Sequence, residues 1–288
     1  MTTPPAEPRL IRVGHSPDPD DAFMFYALAK GKIPMRGFRV EHVIEEIERL
    51  NQRALEAGPF RGVEPLEVTA VSCHAYAYLA GRYAVMRAGS SVGDKYGPVV
   101  IGRAGFRGGV KGRKVAVPGK LTTAYLTLQL YERDFEPVFV PFDRIFEAVA
   151  ENKADLGLVI HEGQITFQDR GFTKVVDLGE WWQEKTGLVL PLGVDVIRRD
   201  LGDETVKSFA ALFKESILYA LAHRDEALSY ALEYGRGIGR DLGDRFVGMY
   251  VNDYTVDLGP RGIAGFERLL AEGFEKGLLP EKIIPDYI

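Results

Sequence analysis

The chain has 288 residues, 46% of them hydrophobic and 27% charged, a balance that supplies a large apolar core and excludes extended disorder; at about 100 to 200 residues per domain, the length favours two domains. Lysines and arginines number 36 against 41 acids, leaving a net charge of -5, so no broad positive field attracts a nucleic-acid backbone or an anionic membrane, and neither is an expected partner. The single cysteine, Cys73, excludes an intrachain disulfide and a Cys-rich zinc site and fits a reducing compartment.

The opening residues, MTTPPAEPRL, hold no basic stretch followed by an apolar one. The longest apolar runs are strand-sized, well short of the roughly 18 residues of a membrane helix. A soluble, cytoplasmic protein is the expectation. From Leu10 to about Val196, short β-branched runs alternate with amphipathic segments, the pattern of βα units on mostly parallel sheets. Strands are predicted at 10–14, 38–44, 66–71, 83–87, 98–103, 114–117, 137–140, 156–160, 174–178 and 188–197.

After Asp200 the pattern turns helical. Residues 204–223 carry Val206, Phe209, Ala210, Phe213, Ile217 and Leu221 in one stripe with a period near 3.6. Further helices are predicted at 224–234, around 246–254 and at 261–276, with no strand between them. Two extended segments, 96–103 with its Gly-Pro and 186–198 with Pro191 and Gly193, read as crossings between lobes. The expected division is residues 1–99 plus 197–288 as one lobe and 100–196 as the other, closing as a hinge over a cleft that holds a small molecule.

Four strand-to-helix turns carry the candidate site, because ligands of open α/β sheets sit beyond the carboxyl ends of strands. In HSPDPDDAFMFYAL, Ser16 is a candidate ligand donor. Asp18, Asp20 and Asp21 suit helix capping, and they suit ligand hydroxyls better than an anion. In LEVTAVSCHAYAYL, Ser72 ends a strand, and capping accounts for it as well as ligand binding does. Cys73 and His74 are adjacent on a helix and point apart, so they do not form a nucleophile pair. RKVAVPGKLTTAYLTLQLY opens a helix with Thr122 and Thr123, a place where free N–H groups hold carboxylates or phosphates. In DLGLVIHEGQITF, His161 directly follows a buried strand, and an imidazole there suits proton transfer. Glu162 starts the next helix. His15, His42, His74 and His223 lie in less suggestive places. No metal-ligand spacing, GxSxG elbow or P-loop is present.

Together these segments resemble the 1,4-dihydroxy-6-naphthoate synthases of the futalosine route to menaquinone. The likeness runs from Arg12 to about Asp257 and includes SPxPxDxFxFYAL, VPGxxTTAY, GLxIHE, VVDLGxWW and EKTGLxLPLG leading into RRDLG. It implies a type II periplasmic-binding-protein-like α/β fold with two lobes and two hinge crossings, and a lyase that needs no cofactor. It also implies His161 as general base, Thr122 and Thr123 as paired substrate-binding threonines, and Ser72 as a binding serine. The chain departs from the family's Ser-Pro-Cys-Pro-Asn-Asp-Thr turn at Asp18, Asp20 and Ala22, and Ala70 stands where a lysine is common. Two other readings use the same cleft: a non-catalytic binder of a small carboxylate, and the chorismate dehydration of a sister branch.

Overall fold

Two β-sheets organise the chain in the computed structural model, which describes residues 7–56, 63–234 and 238–288. The strands are β1 (Arg9–His15), β2 (Phe38–Ile44), β3 (Val68–Ser72), β4 (Tyr83–Val85), β5 (Ser91–Gly93) and β6 (Val99–Arg103), followed by β7 (Lys114–Val117), β8 (Glu136–Phe139), β9 (Leu156–Val159), β10 (Phe172–Asp177) and β11 (Leu190–Arg198). The first sheet runs β2-β1-β3-β11-β4, with β5 also paired to β11, and the second runs β10-β6-β9-β7-β8. Each predicted strand has its counterpart. The addition is β5, whose three residues are too few to show an alternation.

Mostly parallel pairing is not what forms. Strand β1 runs parallel to β2 and β3, and β7 parallel to β8 and β9. However, β11 is antiparallel to β3, β4 and β5, and β6 is antiparallel to β9 and β10. The reversed strands are the ones that receive the chain as it arrives from the other sheet. A strand reached that way is free of the helical crossover that makes consecutive strands parallel.

The expected lobe boundary at residue 196 also needs correction, because β11 pairs with the first sheet along Leu190–Ile197. Pairing therefore puts the whole strand in the first lobe and moves the second crossing ahead of Leu190. The first passage of the chain from one sheet to the other lies between β5 and β6.

The core follows from period-two burial. In β6, Val100 faces Val115, Leu156 and Leu158 with the helical residues Ala124, Leu128 and Leu178, while Val99 and Ile101 face Ile145, Ala148 and Phe167 on the opposite side. Helices thus cover both faces of this sheet, which is why its strands read as continuous apolar runs. On the first sheet, Ile11, Val13 and Met86 pack against Phe209, Phe213 and Ile217 of the Asp203–Ala222 helix. The opposite face packs Tyr83, Val85 and Val196 against Phe266, Leu269 and Leu270 of the Gly259–Glu275 helix. The helices predicted at 204–223, 224–234 and 261–276 form at Asp203–Ala222, Arg224–Leu232 and Gly259–Glu275. The one predicted around 246–254 is instead two, Arg240–Tyr250 and Asp253–Val256, because Asn252 and Thr255 form a reciprocal capping box that starts a new helix. No helix among the described residues is long and apolar enough to cross a membrane.

Candidate active site

Ser16, Ser72, Thr122, Thr123 and His161 line one cleft with about 720 Å³ of empty space, part of it open to solvent. Ser16 and Ser72 come from the ends of β1 and β3 in the first lobe. Thr122, Thr123 and His161 follow β7 and β9 in the second. The four turns picked out in the sequence therefore converge from both sides.

His161 holds the least ordinary position. Its φ is +53°, in the left-handed region that costs a non-glycine residue roughly 1–3 kcal/mol. The ring packs edge-on to Phe142 with centroids 4.9 Å apart, and Nδ1 lies 2.9 Å from Asp18 Oδ2 across the cleft. Nε2 is buried and makes no hydrogen bond. Burial alone would lower the pKa of this imidazole. The charge and hydrogen bond of Asp18 outweigh that, helped by Glu162, and raise it to about 9. A pKa there favours the imidazolium form at neutral pH.

Asp18 orients this ring. It occupies the N-cap position of the Pro19–Ala29 helix without capping it, contrary to the structural role expected of an aspartate there. Its Oδ2 instead accepts from Ser16 Oγ at 2.7 Å as well as facing His161. Ser16, singled out as a ligand donor, thus spends its proton on Asp18, and its backbone N–H donates to Asp21 Oδ2 at 2.7 Å. Glu162 stands at the start of the short Gly163–Thr166 helix without a side-chain cap.

Ser72 is held differently. It sits at an N-cap position but makes no capping bond. Asn51 clamps it, with Nδ2 donating to Ser72 Oγ at 2.9 Å and Oδ1 accepting from Ser72 N at 2.8 Å. With the hydroxyl oxygen used as acceptor, its proton is left for a ligand. Thr122 caps the Thr123–Tyr131 helix by accepting from Tyr125 N, and donates to Gly119 O. Thr123 Oγ1 donates to Leu192 O and accepts from His74 N. Both hydroxyls line the cleft already engaged, so the groups this turn offers a ligand are the amides of Thr123 and Ala124 in the first helical turn, which have no intrahelical acceptor.

The remaining histidines are unsuited to the task. Burial lowers the pKa of His15, His42 and His74 to about 4. His15 stacks on Phe25 and contacts His42. Burial pushes the Cys73 thiol up, which keeps it protonated and unreactive. No group of three or more His, Cys, Asp or Glu among the described residues is placed to hold a metal ion.

Sequence reasoning missed several lining residues: Asp195, Gln164 and Tyr250, with Tyr250 Oη donating to Gln164 Oε1 at 2.5 Å. One signal was available. Asp195 interrupts the apolar run LPLGVDVIR, and an acid inside a buried strand is an exception that calls for a reason.

The profile of the Menaquinone biosynthesis family matches residues 11–275. A relative from Thermus thermophilus, named a 1,4-dihydroxy-6-naphthoate synthase, is 40% identical over 268 residues, covering 93% of this chain and 95% of the relative. A protein of Archaeoglobus fulgidus with a known crystal structure is 48% identical, with a TM-score of 0.87 over 93% of this chain and 98% of that one. Fold alone is shared with the alkanesulfonate-binding protein of Xanthomonas axonopodis, 13% identical with a TM-score of 0.70 over 97% of each chain. The architecture is accordingly the two-lobed α/β fold of periplasmic binding proteins. With matching family residues running through both lobes and the cleft between them, the chain belongs to the menaquinone biosynthesis family.

Proposed function

We propose that the protein is a 1,4-dihydroxy-6-naphthoate synthase, a carbon–carbon lyase acting on cyclic dehypoxanthine futalosine, with His161 as its general base. The observation that carries the base assignment is the pairing of a buried, unpartnered Nε2 facing the cleft with an Nδ1 held by Asp18. Family membership and the name of the Thermus relative support the reaction over chorismate dehydration or simple solute binding.

Deprotonated His161 takes a proton from the substrate at Nε2. The electron pair left behind starts the eliminations that release the sugar-derived fragment and aromatise the ring system. Asp18 fixes the tautomer and compensates the imidazolium that forms, as a carboxylate does behind a catalytic histidine. A base placed in this way contributes about 10² to 10⁴-fold. The amides of Thr123 and Ala124, with the Ser72 proton, hold the polar or carboxylate part of the substrate. Closure of the lobes excludes water.

Incubating the full chain with cyclic dehypoxanthine futalosine and assaying for the naphthoate tests the reading. Wild type is expected to form product and His161→Asn to form essentially none. Binding without turnover in wild type, or full turnover in the variant, would overturn it.

A further inference from the structure

We infer that Asp20 and Asp195, on the first lobe's wall of the cleft, form a subsite for an uncharged, hydroxyl-rich part of the ligand, such as a sugar-derived fragment. The inference rests on the cleft being the substrate site and extends that reading to which wall receives which part.

Asp195 lies in the middle of β11, between Val194 and Val196 of the apolar core. It is 1% exposed, lines the cleft, and its Oδ1 has no hydrogen-bond partner. Asp20, from the first turn of the Pro19–Ala29 helix, is 8% exposed and also carries an unpartnered Oδ1 into the cleft. Leaving a buried polar atom unpaired costs about 1–3 kcal/mol, and here two independent elements each bring one to the same wall. The neighbouring acids are already engaged: Asp18 by His161 and Ser16, and Asp21 by the Ser16 amide. Gly89 keeps space beside Asp195, since a Cβ there would stand 2.4 Å from Asp195 Oδ2.

Charge then selects the ligand class. Among the described residues no lysine or arginine lines the cleft, so an anionic group finds its attraction at His161 and the Thr123 amides, away from this wall. A cation is not favoured either. Burial, reinforced by Asp21, raises the pKa of both carboxyls, and Asp18 adds to the effect at Asp20, which favours their uncharged form. A neutral carboxyl both donates and accepts a hydrogen bond. So does an alcohol, and neighbouring hydroxyls on a ring meet that pattern without bringing charge into a dry wall.

The test is direct binding by the full-length protein, using two probes: methyl β-ribofuranoside and 2-naphthoate. Asp195→Ala is expected to weaken the riboside about tenfold or more while leaving naphthoate affinity and folding unchanged. Asp20→Ala, on a separate element, should give the same split and serves if the first variant misfolds. No riboside binding to wild type, unchanged riboside affinity in both variants, or equal loss of both probes would overturn the subsite. Since no turnover is measured, failure of the proposed reaction would leave these results standing, and failure here would leave the reaction standing.

Discussion

At residue 161 the backbone geometry and the side chain make opposite demands. A φ of +53° suits glycine or asparagine, whereas proton transfer needs an imidazole. His161→Asn should therefore keep the fold and lose the activity. His161→Val, β-branched in a left-handed position, should cost about 1–3 kcal/mol in a denaturant titration. Asp18 sets the pH behaviour. With the His161 pKa raised to about 9, the base form grows with pH, so kcat/KM should climb from about pH 6 to about pH 9 and then level off. Asp18→Asn should move that rise to lower pH and reduce its plateau. The stability linkage has a defined sign. Because the folded pKa lies above the ordinary value of 6.5, the pair's contribution is fully present below about pH 6.5 and disappears as pH rises through about 9. His161, Ser72 and the two threonines were legible because each ends a recognisable strand or opens a helix. The part played by Asp18 was not, since its partner is distant in sequence and in the opposite lobe. Asn51 was hidden likewise, on a helix whose pattern speaks only of amphipathicity.

Among the elements, strand positions were readable from β-branched runs, but pairing direction was not. Whether β6 and β11 enter their sheets parallel or reversed depends on where the preceding chain comes from, a fact that local periodicity does not carry. The split at Asn252 shows the same limit, since an apolar stripe continues through a cap that ends one helix and begins another. Glycines fasten both crossings. A Cβ on Gly179 would stand 2.0 Å from the Tyr96 carbonyl oxygen, and one on Gly265 would stand 2.5 Å from that of Val189. Each contact is against backbone, which cannot rotate away. Gly179→Ala should destabilise the protein by about 3 kcal/mol, measurable by chemical denaturation, with no change in the residues lining the cleft.

Across the whole molecule, the lobes are joined by bonds from one side of the cleft to the other. Besides Asp18 with His161, Tyr250 donates to Gln164, and the Glu48 carboxylate accepts from the backbone amides of Lys120 and Leu121. These describe a closed arrangement. Glu48→Ala removes one fastening and should raise the radius of gyration in X-ray scattering and raise KM several-fold, with kcat little changed. Apolar packing crosses the same boundary, for Leu126 of the Thr123–Tyr131 helix is buried in one cluster with Cys73, Phe266 and Leu269. Cys73 is fully buried there, in the cluster that Leu126 of the other lobe enters. The lone thiol thus sits on the seam where the two halves meet. A thiol reagent added to the unmodified protein becomes a clock for that seam: its reaction rate reports how often the halves part, and substrate that holds them together should slow it.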